Sequence, residues 1–305
     1  MQANANGEQA LERYGLWQTA FAPREGDDQS TARDFFRVQL LLLRSKAALL
    51  AAQVARDMPH FSAHDISHLD ALWEVATLIA GPRQSLNPAE AYVFGAAVLL
   101  HDAGMSLAAY PNGLTDLCKT TEWRDTVAML LKDMRLEPTE EAIASPPDEI
   151  KKNAVGEVLR ALHARHAGDL PLAKWSLREG GESEFLIDDS DLRAFYGPLI
   201  GRIAKSHNDP ISRIAAVGRP LGAFGNAPSE WSVDPIKIAC LLRTADAAHI
   251  DGRRAPRFLR TLLLPEKVAA LHWTFLEKLA KPRLEGDALV YSSGPDFTLA
   301  EADAW

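Results

Sequence analysis

Six histidine and aspartate side chains could act as metal ligands, because each lies on, or at the end of, an apolar helical stretch. In chain order they are His68, His101, Asp102, His166, His207 and Asp246. Imidazole and carboxylate together suit a divalent ion such as Mn, Fe, Co, Ni, Mg or Zn, and the sequence does not distinguish among these metals. Six such groups could hold one ion or two, with a carboxylate bridging. Two ions a few ångströms apart would clamp a phosphoryl group and generate a hydroxide near neutral pH.

The His101-Asp102 doublet follows an apolar predicted helix. Asn87-Pro88 is typical of a helix start, with Asn as the N-cap and Pro at the first helical position. The helix then runs through small and aliphatic residues to the doublet. A buried histidine–aspartate pair is costly to desolvate unless each member has a partner. A metal ion is the simplest such partner, and the alternative is a hydrogen-bonded polar pair at a helix end.

A second predicted helix places His68 on an apolar stripe with Leu72 and Ala76. His64 lies four residues before His68 and therefore shares its helix face. The alternative for His68 is a core histidine bonded to a backbone carbonyl.

Two further predicted helices end in a histidine. The stripe of Leu159 and Leu162 continues to His166, and we prefer His166 to His163, which lies three residues earlier and just off that stripe. His207 ends the next helical pattern. Neither histidine is needed if the site holds a single ion.

Asp246 lies on the inner side of a predicted helix that starts at Pro235. It could instead form an ion pair with Arg243 or Arg253. His249 follows closely and is expected to support a ligand or face the substrate. Arg253 and its neighbour Arg254 could bind phosphate or form a solvated basic patch.

The helical patterns together predict an all-α bundle with a small C-terminal extension of mixed or β character. We expect a lead segment at residues 1–34, the helical domain at 35–260 and the extension at 261–305. The sequence stops without a clear closing signal, so we also expect that it is a fragment of a longer protein.

Composition narrows the class of protein. The chain has 305 residues, a net charge of −8 and two cysteines. The negative charge argues against a broad nucleic-acid surface, and the few cysteines fit a reducing compartment. We find no uncharged apolar run near the roughly 20 residues that span a bilayer and no signal peptide, so we expect a cytoplasmic protein without a membrane partner. The glycine-rich nucleotide-binding motifs and the serine-hydrolase elbow are absent.

The order of the candidate ligands resembles the HD-domain metal-dependent phosphohydrolase superfamily, over about residues 35–260. That pattern is H…HD…D on an all-helical core, and it is matched by His68, by His101-Asp102 and by Asp246. Members with two metals add two histidines in the interval where His166 and His207 fall. The resemblance implies that Asp102 bridges the ions and that His101 is a terminal ligand.

Two segments are similar to particular branches of this superfamily. Residues 63–72 resemble the first ligand helix of class I cyclic nucleotide phosphodiesterases, and this likeness implies that His64 is the general acid. Those enzymes carry a further histidine after the doublet, which this chain lacks at Met105. Residues 241–256, which end in Arg253-Arg254-Ala-Pro, are similar to bacterial HD proteins fused to a C-terminal Hsp90-like ATPase domain. That likeness implies an ATPase-like domain in the full-length protein.

We therefore expect a metal-dependent phosphohydrolase that cleaves a nucleotide, a cyclic nucleotide or a short oligonucleotide with a metal-activated hydroxide. His64 and Asp102 are the predicted catalytic residues, and His249 and Arg253 are the predicted substrate contacts. The alternative is a non-catalytic module that senses metal and nucleotide and signals to the ATPase-like domain. A weaker possibility is a helical interaction protein with incidental histidines.

Overall fold

The protein is described here by a computed structural model that covers residues 11–176, 181–298 and 301. These residues form an all-α bundle with two short antiparallel hairpins, which confirms the predicted fold class. The helices of the N-terminal half are α1 (Gly15–Phe21), α2 (Ser30–Asp57), α3 (Ile66–Ala80), α4 (Pro88–Leu100), α5 (Leu114–Cys118), α6 (Thr121–Asp133) and α7 (Glu140–Ala144). Those that follow are α8 (Asp148–Ala167), α9 (Ser190–Ser206), α10 (Pro235–Ala248), α11 (Arg257–Leu263) and α12 (Lys267–Lys278). The hairpins are β1 (Lys174–Ser176) with β2 (Ser183–Phe185), and β3 (Arg283–Glu285) with β4 (Ala288–Val290).

Helix α4 is the centre of the bundle, and every one of its residues is buried. Its start is fixed by the predicted cap: the Asn87 side chain accepts a hydrogen bond from the backbone N–H of Glu90, and the Glu90 carboxylate accepts one from the backbone N–H of Asn87. Helices α2, α3, α9 and α10 pack around it. A Cβ at Gly95 would lie 2.7 Å from Leu40 and 2.8 Å from Trp73, so glycine permits this close approach. A rigid buried helix thus leads directly into the His101-Asp102 doublet.

Helix α2 is long and apolar enough to cross a membrane by length and composition alone, with a mean hydropathy of 1.3 in its most apolar window. In the structure it packs along α4 and buries Phe36, Leu40 and Leu43 in the core. Core helices of globular proteins pass the same test, so this feature is weak evidence for a membrane.

The C-terminal part combines helices with a hairpin, in line with the predicted mixed extension. Ala255, Trp273, Phe275 and Leu276 form a small apolar cluster separate from the main core. The Trp273 indole N–H donates to the carbonyl oxygen of His60 at 3.1 Å, which ties α12 to the loop before α3. Residues 1–10 of the predicted lead segment, and residues 299, 300 and 302–305 of the extension, lie outside the described part of the chain. The predicted boundaries at 34 and 260 stay predictions.

Candidate metal centre

Four predicted ligands form a compact buried group. His68 comes from the first turn of α3, His101 and Asp102 follow the last residue of α4, and Asp246 lies in the last turn of α10. His101 Nε2 lies 3.1 Å from Asp102 Oδ2 and 3.6 Å from Asp246 Oδ1. His68 Nε2 lies 3.7 and 3.6 Å from the same two oxygens. Ligands about 2.1 Å from one ion are separated by roughly 3.0–3.4 Å. The shortest spacing lies in this range and the other three exceed it by 0.2–0.3 Å, so small side-chain shifts would bring the four atoms around a shared divalent ion.

A second group of donors adjoins the first and contains Asp102, His163 and His207. His207 follows the last residue of α9, and His163 lies near the C-terminal end of α8. The two imidazole Nε2 atoms are 3.1 Å apart, and Asp102 Oδ1 is 3.7 Å from that of His163 and 3.6 Å from that of His207. The circle through these three atoms has a radius of about 2.0 Å, which matches common metal–ligand distances. An ion in their plane could therefore contact all three atoms.

Asp102 belongs to both groups and turns a different oxygen to each. Its Oδ2 atom faces His68 and His101, whereas its Oδ1 atom faces His163 and His207. A carboxylate divided in this way can bridge two ions, which is the role that the resemblance implies for Asp102.

Backbone hydrogen bonds aim the histidine nitrogens at the site. His101, His163 and His207 each donate from Nδ1 to the carbonyl oxygen three residues earlier, at 2.8, 2.6 and 2.6 Å. Because Nδ1 donates in each ring, Nε2 is the nitrogen that offers a lone pair whenever the ring is neutral. In this tautomer the paired Nε2 atoms of His163 and His207 would repel each other unless a cation lay between them.

His68 is oriented differently, by another imidazole. Its Nδ1 lies 2.8 Å from Nδ1 of His249, and the two rings stack with an interplanar angle of 3°. His249 is buried and follows the last residue of α10. If His68 donates from Nδ1, its Nε2 lone pair faces Asp102 and Asp246. The predicted substrate contact His249 is therefore placed behind a candidate ligand.

Burial and charge set the protonation states of the group. Desolvation holds the pKa of His68 well below its ordinary value and lowers the pKa of His207 to about 4. Burial opposes charge on His101 as well, but the carboxylates of Asp102 and Asp246 outweigh it and raise its pKa well above the ordinary value. Burial likewise disfavours ionised Asp102, yet His101 and the neighbouring histidines lower its pKa. The two buried carboxylates therefore favour a positive charge among the histidine rings, and a divalent ion would supply it.

Two buried imidazole nitrogens without partners indicate whether these residues could bind a metal ion. Among the described residues, Nε2 of His68 and Nε2 of His101 have no hydrogen-bond partner, and both atoms are shielded from solvent. A buried imidazole nitrogen is costly when left without a partner. A divalent ion would supply that partner, so the donor set fits the predicted cofactor.

The structure places the two histidines of α8 differently from the sequence prediction. His166 stacks on the Tyr110 ring at 3.8 Å between ring centroids, and its Nε2 lies 3.0 Å from the carbonyl oxygen of Ala109. It therefore faces the loop after the doublet, whereas His163 faces Asp102. The physical reason is that Tyr110, on a loop whose position the helical pattern does not specify, packs against the His166 ring.

The turn after the doublet lies directly on α8. A Cβ at Gly104 would lie 2.6 Å from the carbonyl oxygen of His163, so glycine is needed for this contact. The Asp57 carboxylate at the end of α2 accepts from the Ser106 hydroxyl at 2.9 Å and from the Leu107 N–H at 2.8 Å. These contacts fix the doublet relative to His163.

His64 lines the site next to Asp102, with 3.8 Å between its Nε2 and Asp102 Oδ2. Its Nδ1 donates to the carbonyl oxygen of Ser62 at 2.5 Å, and its Nε2 lies 2.7 Å from a guanidinium nitrogen of Arg254. Because a guanidinium only donates, Nε2 is an acceptor in this arrangement. Desolvation and the nearby Arg254 charge lower the pKa of His64 to about 4.

The two adjacent arginines point in different directions. Arg253 donates to both Asp251 oxygens, at 2.8 and 2.6 Å, and also binds Glu74. Arg254 instead faces the site, with a guanidinium nitrogen 3.7 Å from Asp246 Oδ1. The predicted substrate contact Arg253 is therefore engaged in ion pairs, and its neighbour Arg254 is the arginine that lines the cavity.

A cavity of about 760 Å³ opens above the ligand groups. Its polar lining, which we call the floor, includes Asp102, His163, His207 and Asp246. Its apolar lining comes largely from α12, with Val268, Ala269, Trp273 and Leu276. The cavity has the size of a small-molecule site.

Comparison with known proteins gives a family and no individual relative. No curated protein and no solved structure matches the chain. The HD-CE family matches residues 58–305, which include every residue of both ligand groups and the segment predicted as an extension. The chain therefore belongs to the HD-CE family.

Proposed function

We propose that this protein is a metal-dependent phosphohydrolase that cleaves a phosphoester of about nucleotide size. The observation that carries the proposal is the pair of donor groups that share Asp102 at the floor of the cavity. Membership of an HD-type family supports the same reaction class. Divalent ions bound there would stabilise negative charge on a phosphoryl group and make water a nucleophile near neutral pH.

The residues at the cavity would have two roles, holding the ions and contacting the substrate. His68, His101 and Asp246 would hold one ion, His163 and His207 the other, and Asp102 would bridge them. The wall of α12 would contact the organic part of the substrate, which we expect to be a nucleotide, a cyclic nucleotide or a short oligonucleotide. About 760 Å³ is ample for a ligand of that size.

A panel of phosphoesters tests this proposal. We expect hydrolysis of at least one nucleotide-type substrate after loading with Mn²⁺, its loss after chelation, and its loss in Asp102→Ala. Asp34→Ala serves as the matched control, because the Asp34 side chain is 58% exposed on α2. Full activity in Asp102→Ala, or equal activity with and without metal, would contradict the proposal.

His64 is the proposed proton donor to the leaving oxygen. Its Nε2 accepts from Arg254 in this arrangement, so it can hold a proton there only after the guanidinium moves away. General acid catalysis contributes about 100-fold or more to a rate. We therefore expect His64→Gln to slow cleavage of an alkyl phosphodiester by about 100-fold and to slow a nitrophenyl ester much less, because nitrophenolate leaves without protonation. Equal losses on both substrates would argue against this role.

One observation favours the sensing alternative. His249, the partner of His68, lies 3.9 Å from Asp251, and ion pairs lead from Asp251 through Arg253 to Glu74. Lys281 also approaches Glu74 at 3.3 Å near the C-terminal hairpin. Binding at the metal centre could therefore be transmitted to the C-terminal part, and from there to an ATPase-like domain. Tight nucleotide binding without turnover across several metals would select this function over hydrolysis. The cytoplasmic location and the likeness to the ATPase-fused branch stay predictions.

A further inference from the structure

Arg254 is a largely buried cation beside the metal centre whose hydrogen-bonding capacity is only partly used. Its side chain is 13% exposed. One terminal nitrogen donates to His64 Nε2 at 2.7 Å and lies 3.4 Å from the Ser62 hydroxyl, and the other approaches Asp246 Oδ1 only to 3.7 Å. Its Nε–H is shielded from solvent and has no hydrogen-bond partner within the described chain.

The backbone around Arg254 is fixed, so the point from which its side chain enters the cavity is built into the fold. Residues Gly252–Arg254 form a 3-10 turn that Asp251 caps by accepting from the Arg253 N–H at 3.0 Å. The carbonyl oxygen of Arg254 accepts from the Ala63 N–H at 2.8 Å. The side chain then reaches into the cavity next to the ligand groups.

Holding an arginine in this way is unfavourable without a further partner. Burying a charge costs free energy unless an opposite charge and hydrogen bonds compensate it. Here one direct partner is a neutral imidazole, and the nearest carboxylate is shared with the candidate metal site. An anionic ligand in the cavity would supply the missing acceptors, because guanidinium binds phosphate oxygens through parallel N–H groups.

We propose that Arg254 binds a phosphate oxygen of the ligand beside the metal centre and thereby positions the phosphoester over the two donor groups. This inference deepens the proposed function and rests on it. It also distinguishes Arg254 from Arg253, whose guanidinium is occupied by Asp251 and Glu74.

A purely structural role for Arg254 makes a different prediction. If its charge only balanced Asp246, removing it would change metal binding and leave anion binding unaltered. If it binds phosphate, its removal should weaken anion binding. Metal affinity should then stay the same or increase, because a cation 3.7 Å from Asp246 opposes a second cation there.

The experiment is calorimetric titration of inorganic phosphate into Mn²⁺-loaded protein, with Mn²⁺ affinity measured separately for each variant. We expect Arg254→Gln to weaken phosphate binding by about 10- to 100-fold, as for loss of a charge-assisted hydrogen bond. Arg254→Lys should show an intermediate loss, because it keeps the charge without the planar fork. Arg257→Gln is the matched control, since that side chain is 90% exposed and carries the same charge.

The outcomes separate this inference from the proposed function. Unchanged phosphate affinity in Arg254→Gln, an equal loss in Arg257→Gln, or no phosphate binding by the wild type with or without Mn²⁺ would overturn the role of Arg254. Failure to find a hydrolysed substrate would count against the hydrolase while leaving the phosphate titration as the measure of this residue. A thermal melt of each variant shows whether a loss reflects unfolding.

Discussion

Replacing His163 by alanine is expected to remove one of two divalent ions, whereas replacing His166 should leave both in place. The two histidines are three residues apart on α8, so the variants test a placement that the sequence pattern alone assigned differently. His163 contributes one of three donor atoms around a circle of about 2.0 Å radius, with Asp102 and His207 as the others. His166 contributes only its stack on Tyr110 and one backbone contact.

The expected loss of metal affinity follows from the role of His163 as a direct donor. Removing a residue that merely orients a metal ligand weakens metal binding by about 10- to 100-fold. Removal of a direct donor should reach at least the upper value, about 2.8 kcal/mol in binding free energy. The stabilisation that the second ion gives the folded state decreases by a similar amount at saturating metal. The Mn²⁺-dependent rise in Tm should therefore be smaller by roughly 5 °C.

The assay is elemental analysis after dialysis against Mn²⁺, combined with thermal melts in Mn²⁺ and in chelator. Wild type and His166→Ala are expected to retain two ions per chain, and His163→Ala one. Loss of an ion in His166→Ala together with full retention in His163→Ala would refute the assignment. A wild-type protein that retains no ion and gains no thermal stability from Mn²⁺ would refute the metal centre as a whole.

Three further substitutions test the support around the site. His249→Leu removes the partner of His68 Nδ1 and should weaken Mn²⁺ binding about 10- to 100-fold by calorimetry, and an unchanged affinity would show that His68 needs no such support. Gly104→Ala would place a Cβ 2.6 Å from the His163 carbonyl oxygen. We therefore expect the free energy of unfolding, measured in urea, to fall by about 1–3 kcal/mol. Wild-type stability would mean that the turn can shift freely. Asp57→Ala leaves two donors of the doublet turn unpaired and should cost about 1–3 kcal/mol in the same assay, and a cost near zero would contradict the anchoring role.

The main helices and the centre of the site could be predicted from the sequence because their signals are local. The Asn87-Pro88 cap and the apolar run to His101-Asp102 describe a buried helix that ends at a polar pair, and the structure has that helix. His68 and Asp246 likewise follow from the faces of single helices. The structure brings these residues together because the helix ends that carry them converge on α4.

The differences between the predicted and the observed placements have another origin, since they depend on contacts between distant segments. His163 and His166 lie within one turn, and only the position of Tyr110 decides which of them faces the site. Arg253 and Arg254 are adjacent on a 3-10 turn, and Arg253 is held by Asp251 together with Glu74, which lies nearly 180 residues earlier. Helical spacing contains no information on either contact.

The direction of the helices at the site has a consequence for the order of binding. Of the described helices that carry candidate ligands, α4, α8, α9 and α10 present their C-terminal ends to the site, and α3 approaches it with its first turn. Each C-terminal end carries a partial negative charge of roughly half an electron. The backbone therefore adds to the negative potential of Asp102 and Asp246, which attracts cations and repels an incoming phosphate.

An anionic ligand should consequently bind well only after the cations have reversed this potential. Metal and phosphoester would then add in a compulsory order, metal first, and metal depletion would raise KM for the substrate before it lowered kcat. Higher ionic strength should weaken the repulsion between the metal-free protein and the anionic substrate, so that metal depletion raises KM by a smaller factor.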